Sequence, residues 1–246
     1  MANKIVIASG KGGVGKSTLT AGLGRAAANA GKKTLLIDCD AGLGSLDILF
    51  GCDKDCAFNW MDLYEDRCKK EEALLPLGEN LWLLPVPRNL QTDYPEDAVA
   101  DFIEKNEDDF DLILIDAPAG IGNGLKRAAK GAKRAIVVAT PDAVSVRGAW
   151  SVARVLTQEG IQEVRLAVNR FDYKAARKKR QYNIDFAIDQ TAVQLIGVIP
   201  EEEKIMASSV TGEQLKKNSP AAKAFARILR RIDGEHVPLR ISYLKK

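Results

Sequence analysis

The stretch Gly10-Lys11-Gly12-Gly13-Val14-Gly15-Lys16-Ser17-Thr18 constrains the fold more than any other part of the chain. So many glycines so close together are costly inside a helix or strand, so they mark a loop. The apolar run Ile5-Val6-Ile7-Ala8 leads into that loop, and an Ala/Leu-rich helical pattern over Ser17–Ala30 leaves it. Strand, glycine loop and helix N-terminus, in that order, make a cradle for a phosphate chain. Backbone N–H groups crowd inward, and the helix dipole favours the negative charge. The spacing Gly10-x4-Gly15-Lys16-Ser17 satisfies the phosphate-binding pattern in full. Gly10 to Thr18 are therefore candidate nucleotide contacts. Lys16 is placed to reach the β- and γ-phosphates, and the Ser17 hydroxyl to coordinate Mg²⁺. Lys11 is a second lysine at the mouth of the loop.

The remaining strand-length apolar runs are Thr34–Ile37, Leu81–Leu84, Leu112–Ile115, Ala135–Ala139, Val164–Val168 and Leu195–Ile199. Most are continuous rather than alternating, as parallel strands covered on both faces require. Helical patterns over Pro95–Lys105, Gly124–Lys130, Val144–Glu159 and Asn183–Thr191 lie between many of them. A last helix is marked by Ser219 as N-cap, Pro220 in the first turn, and an apolar stripe of Phe225, Ile228, Leu229 and Ile232. Strand–helix alternation predicts an α/β fold. Its core is a doubly wound, mostly parallel sheet of seven or eight strands flanked by helices. No linker or repeat divides residues 1–246, so one domain is expected, with 234–246 as a short tail.

Sites in such sheets collect at the carboxyl ends of the strands. Thr34–Ile37 ends in Asp38-Cys39-Asp40, and Leu112–Ile115 ends in Asp116-Ala117-Pro118-Ala119-Gly120. These two strands are expected to flank the first. Mg²⁺ takes hard oxygen ligands, so Asp116 fits a metal-associated carboxylate beside Ser17, and Asp38 fits a supporting role in the same shell. Asp40 is suited to orient or deprotonate a water attacking the γ-phosphate. The glycines around Ala41–Ser45 and Gly120–Gly124 permit the backbone to rearrange near that phosphate.

These residues together resemble the MinD/ParA ATPases, over nearly the whole chain. Lys11-Gly-Gly-Val-Gly-Lys16-Ser17-Thr18 is similar to the family's deviant Walker A motif. The segment Asp38 to Gly51 resembles its switch I and Asp116-Ala-Pro-Ala-Gly120 its switch II. Thr140-Pro141-Asp142 with Ser145-Val146-Arg147 is similar to the segment after the next strand. Asn169-Arg170 and Val198-Ile199-Pro200-Glu201 resemble the two segments that cradle adenine. Gly42-Leu43, Leu46-Asp47 and Val198–Glu201 favour the MinD branch over ParA. The resemblance implies a slow ATPase with ATP/ADP and Mg²⁺ as its ligands. It implies that Lys11 reaches across an ATP-dependent homodimer to the partner's nucleotide, and that a protein activator or effector regulates turnover. The process served would be division-site selection or a related positioning task; flagellar-number regulation and DNA partitioning are the alternatives. The chain departs from the MinD pattern at Gly44-Ser45, where Arg-Asn is common, and at Gly148, where an acidic residue is common.

A net charge of +3, with 46% hydrophobic and 28% charged residues, is ordinary for a soluble chain and argues neither for nor against nucleic acid. No apolar run is long enough to span a bilayer, and the N-terminus shows no signal peptide. A cytoplasmic protein is expected, with contact at the inner face of the membrane left open. The tail His236–Lys246 makes no narrow helical stripe. As a strand it would place Val237, Leu239, Ile241 and Tyr243 on one face. The basic run Lys174–Arg180 could meet DNA phosphates or anionic lipid, or lie in a solvated loop. Cys39, Cys52, Cys56 and Cys68 include no Cys-x-x-Cys pair, and His236 is the only histidine. A metal site from Cys52, Cys56 and Cys68 is conceivable; reduced thiols are the simpler reading.

Overall fold

A computed structural model describes residues 2–41, 44–88, 94–205 and 214–239. The strands are β1 (Asn3–Ala8), β2 (Thr34–Asp38), β3 (Leu75–Gly78), β4 (Leu81–Leu84), β5 (Leu112–Asp116), β6 (Arg134–Ala139), β7 (Glu163–Phe171) and β8 (Leu195–Pro200). They form one sheet in the order β3-β4-β2-β5-β1-β6-β7-β8. All pairs are parallel except β3–β4. The sheet is thus the doubly wound one that the apolar runs predict.

Side chains alternate between two cores. Ile5 and Ile7 join Leu36, Leu114 and Ile136 beneath α1 (Lys16–Asn29) and the C-terminal helix over Pro220–Ile232. Val6 and Ala8 join Leu35, Ile113 and Val137 beneath the helices on the opposite face. Those helices include α5 (Ala98–Asn106), α6 (Asn123–Lys130), α7 (Ala143–Gln158) and α9 (Ile184–Thr191). Short helices α2 (Leu46–Phe50), α3 (Trp60–Tyr64), α4 (Lys70–Ala73) and α8 (Tyr173–Arg177) complete the set, and the Pro220–Ile232 helix is α10. Its N-cap is as expected: Ser219 Oγ accepts from Ala222 N at 3.1 Å, with Pro220 in the first turn.

Three expectations need correction. β2 does not flank β1: β5 lies between them, so Asp38 reaches the glycine loop only across Asp116. β3 goes unpredicted because Leu75-Pro76-Leu77-Gly78 contains two residues that strands avoid. It is tolerated because it is an edge strand, where a missing N–H is harmless. Residues 235–239 of the tail form neither helix nor strand; Arg231 Nε donates to the Val237 carbonyl at 2.9 Å, folding the chain back onto α10. Ile241 and Tyr243 of the expected strand lie outside the described residues. Among the described residues no helix is long and apolar enough to cross a membrane.

Candidate nucleotide site

The glycine loop takes the shape its sequence demands. Gly13 and Gly15 are left-handed, at φ 76° and 91°, where any other residue is strained. Gly10 is required for a different reason: a Cβ there would lie 2.3 Å from the backbone of Gly148 on α7. That contact also accounts for Gly148, since a side chain at 148 would crowd Gly10 at 3.2 Å. Asn169, buried on β7, donates from Nδ2 to the Val14 carbonyl at 2.7 Å and ties the loop to the sheet. α1 then begins at Lys16 with no side-chain cap and no acid in its first turn. Its leading N–H groups point at the loop's mouth, the arrangement that receives an anion.

Asp116, fully buried at the end of β5, gathers the polar groups of α1. Ser17 Oγ donates to Oδ2 at 2.5 Å, Thr20 Oγ1 donates to Oδ1 at 3.0 Å, and Lys16 Nζ lies 3.2 Å from Oδ1. Lys16 also lies 3.5 Å from Asp40 Oδ2. Burial raises the Asp116 carboxyl, while Lys16 and the two hydroxyls pull it down. Thr20 escapes sequence reading because a threonine one turn into an amphipathic helix carries no motif.

Asp38 is the register partner of Asp116 on the adjacent strand. Burial first, and the Asp116 charge second, push it up to about 7. Its oxygens accept backbone N–H groups: Oδ1 from Asp40 at 2.9 Å, Oδ2 from Ser45 at 3.0 Å and Leu46 at 3.1 Å. Trp60 Nε1 donates to its carbonyl at 2.9 Å. Asp38 therefore anchors Asp40, Ser45 and Leu46 at the end of β2. Ser45 is brought to the glycine loop: its Oγ donates to Ser17 Oγ at 2.7 Å. The departure at Ser45 thus sits on the candidate metal-binding hydroxyl.

Lys11 stands at the rim. Its side chain is half exposed and lies 3.8 Å from Asp142, the N-cap of α7. Beside it opens a cavity of about 530 Å³ lined by Lys11, Gly13, Val14, Asp142, Arg170 and Glu201. Arg170 is left-handed at φ 55°, uncommon for a side-chain-bearing residue and typical of functional loops. Pro200 pairs with Phe171, and Glu201 N donates to the Phe171 carbonyl at 3.0 Å, holding Glu201 at the cavity wall. The two segments expected at adenine are brought to one rim. Asn169 faces the loop backbone instead.

Residues 5–215 match the family model for the CobQ/CobB/MinD/ParA nucleotide binding domain. The chain belongs to this family. It is 40% identical to the septum site-determining protein MinD of Synechocystis over 240 residues, 95% of this chain and 90% of that one. It is 36% identical to Bacillus subtilis MinD over 98% of this chain and 92% of that one. Among solved structures it resembles the MinC:MinD cell division protein complex of Aquifex aeolicus, with TM-score 0.90, 36% identity, and 97% and 98% of the two chains covered. MinD of Pyrococcus horikoshii, solved with Mg-ADP, matches at TM-score 0.85 and 29% identity over 95% and 96%. The family model is that of a nucleotide binding domain, and the donors here suit Mg²⁺. The Ser17 hydroxyl and the Asp116 and Asp40 carboxylates are hard oxygens, the kind this ion selects.

Proposed function

We propose that this chain is a MinD-type switch. It hydrolyses ATP slowly, closes as a homodimer over two nucleotides, and serves the placement of the division site. The observation that carries the reading is Lys11. It sits at the loop's outer rim with a half-exposed side chain, in a chain matching MinD proteins over 95% and 98% of its length.

Ser17 and Asp116 are the residues that would hold Mg²⁺, with Asp40 close by. Bound there, the ion neutralises charge on the β- and γ-phosphates. The backbone of Gly12 to Thr18 and the N-terminus of α1 bind and orient the phosphates. Lys16 stabilises charge on the transferred group, and Asp40 orients the attacking water. Lys11 of the partner subunit adds a second cation in the manner of an arginine finger. Asp38 acts through the backbone, holding Asp40, Ser45 and Leu46 in place, and we assign it no contact with the ion. Arg170, Pro200 and Glu201 border the base, while Asn169 positions the loop. The chain works in the cytoplasm with a protein effector; the Aquifex neighbour was solved with such a partner, MinC.

Light scattering on Asp40→Ala tests the reading, because that variant should keep ATP binding and lose turnover. The expected result is a dimer with ATP and a monomer with ADP. A monomer in both would contradict it.

A further inference from the structure

Outside the nucleotide site, the turn that follows α2 gathers two thiols. Gly51 ends α2 in the left-handed conformation, and Asp55 N donates to the Cys52 carbonyl at 3.0 Å, closing a tight turn. The turn carries Cys56 back against Cys52. Cys56 Sγ donates to the Cys52 carbonyl at 3.4 Å. Arg88 spans the turn, bonded to Asp47 Oδ2 at 2.8 Å and to the Asp53 carbonyl.

The two sulfurs differ in access and charge. Cys52 is buried, with Sγ donating to the Asp47 carbonyl at 3.5 Å. The Cys56 side chain beside it, then burial, push its thiol up. Cys56 is half-buried and reaches solvent. The Cys52 side chain beside it pulls its thiol down, helped by Arg88 and opposed by burial, Asp47 and Asp55. An exposed thiolate attacks; a buried neighbour within reach resolves. Cys39 at the tip of β2 and Cys68 before α4 have their thiols raised by burial.

We propose that Cys52 and Cys56 form a reversible disulfide site whose oxidant is a small-molecule disulfide such as oxidised glutathione. The Cys56 thiolate attacks one glutathione sulfur; that S–S bond breaks, and one glutathione leaves as thiolate. Cys52 gives its proton to that thiolate and attacks the Cys56 sulfur, releasing the second glutathione, which takes up the proton first lost by Cys56. Two electrons pass from the dithiol to the glutathione disulfide, and two glutathione thiols result. The link forms at the foot of α2, whose first residue hangs from Asp38.

Lys54 lies between the two cysteines, so trypsin opens the loop and leaves its halves joined only by a disulfide. The full chain is incubated with oxidised glutathione, quenched with iodoacetamide, denatured and digested. The expected product is a linked pair of peptides, 34–54 and 55–67, separated by dithiothreitol, whose fragmentation puts the link on Cys52 and the alkyl group on Cys39, with Cys68 alkylated in its own peptide. In Cys52→Ser, Cys56 should stop as a stable glutathione adduct; in Cys56→Ser, Cys52 should be recovered alkylated. Separate alkylated peptides from the native chain would overturn the proposal. So would glutathione accumulating on Cys52 of Cys56→Ser as fast as on Cys56 of Cys52→Ser.

Discussion

At the residue scale, the proposed switch divides between Lys11 and Lys16 the labour that one lysine performs in simpler phosphate loops. Lys16 is buried between Asp40 and Asp116. Among the described residues Lys11 pairs with Asp142, at 3.8 Å with both side chains half exposed. Such a pair is worth less than about 1 kcal/mol, so little opposes its transfer to a nucleotide across an interface. Lys11→Ala should keep nucleotide binding and lose at least about tenfold in turnover, read by fluorescent-nucleotide titration beside phosphate release. Unchanged turnover would remove Lys11 from the mechanism. Asp38 makes a second prediction. Its folded pKa of about 7 lies above the ordinary carboxylate value, so the folded chain keeps a proton that the unfolded chain releases. The stability this group lends is full at low pH and is lost as pH rises toward 7. In nucleotide- and Mg²⁺-free protein, Asp38→Asn should flatten the fall in melting temperature between about pH 5 and 7.5. A slope equal to that of the native chain would contradict the assignment.

At the scale of elements, the helix behind the loop is fixed by close packing. A Cβ on Gly22 of α1 would lie 2.4 Å from the Phe225 ring of α10. Gly22→Ala gains up to about 1 kcal/mol of helix propensity, but overpacking costs about 1–3 kcal/mol, so the melting temperature should fall. A rise would mean that α10 yields easily. Seven of the eight strands were legible because burial on both faces of a parallel sheet forces continuous apolar runs. The phosphate loop was legible because glycine spacing is dictated by backbone geometry. The edge strand at Leu75–Gly78 was hidden by its proline and glycine, and α2, α3, α4 and α8 by their length of one turn or little more. The placement of β2 beyond β5 was hidden as well, since apolar runs carry no record of strand order. Thr20, Ser45 and the Gly10–Gly148 contact depend on tertiary proximity, which no local pattern encodes.

At the scale of the whole molecule, the sheet places both acidic strand ends on the same side as the glycine loop, with Lys11 at the outer rim. Our account makes that rim the meeting face of two subunits, so each nucleotide needs residues from both. Mixing two inactive variants tests this most directly. A Lys11→Ala subunit keeps a complete site in Lys16, Ser17, Asp40 and Asp116 but lends its partner no lysine. An Asp40→Ala subunit lacks its own water-orienting carboxylate but lends Lys11. Combined in equal amounts before ATP is added, the two should recover about a quarter of native turnover, from the one competent site in each mixed dimer. No recovery above either variant alone would place Lys11 in its own subunit's site and contradict the account.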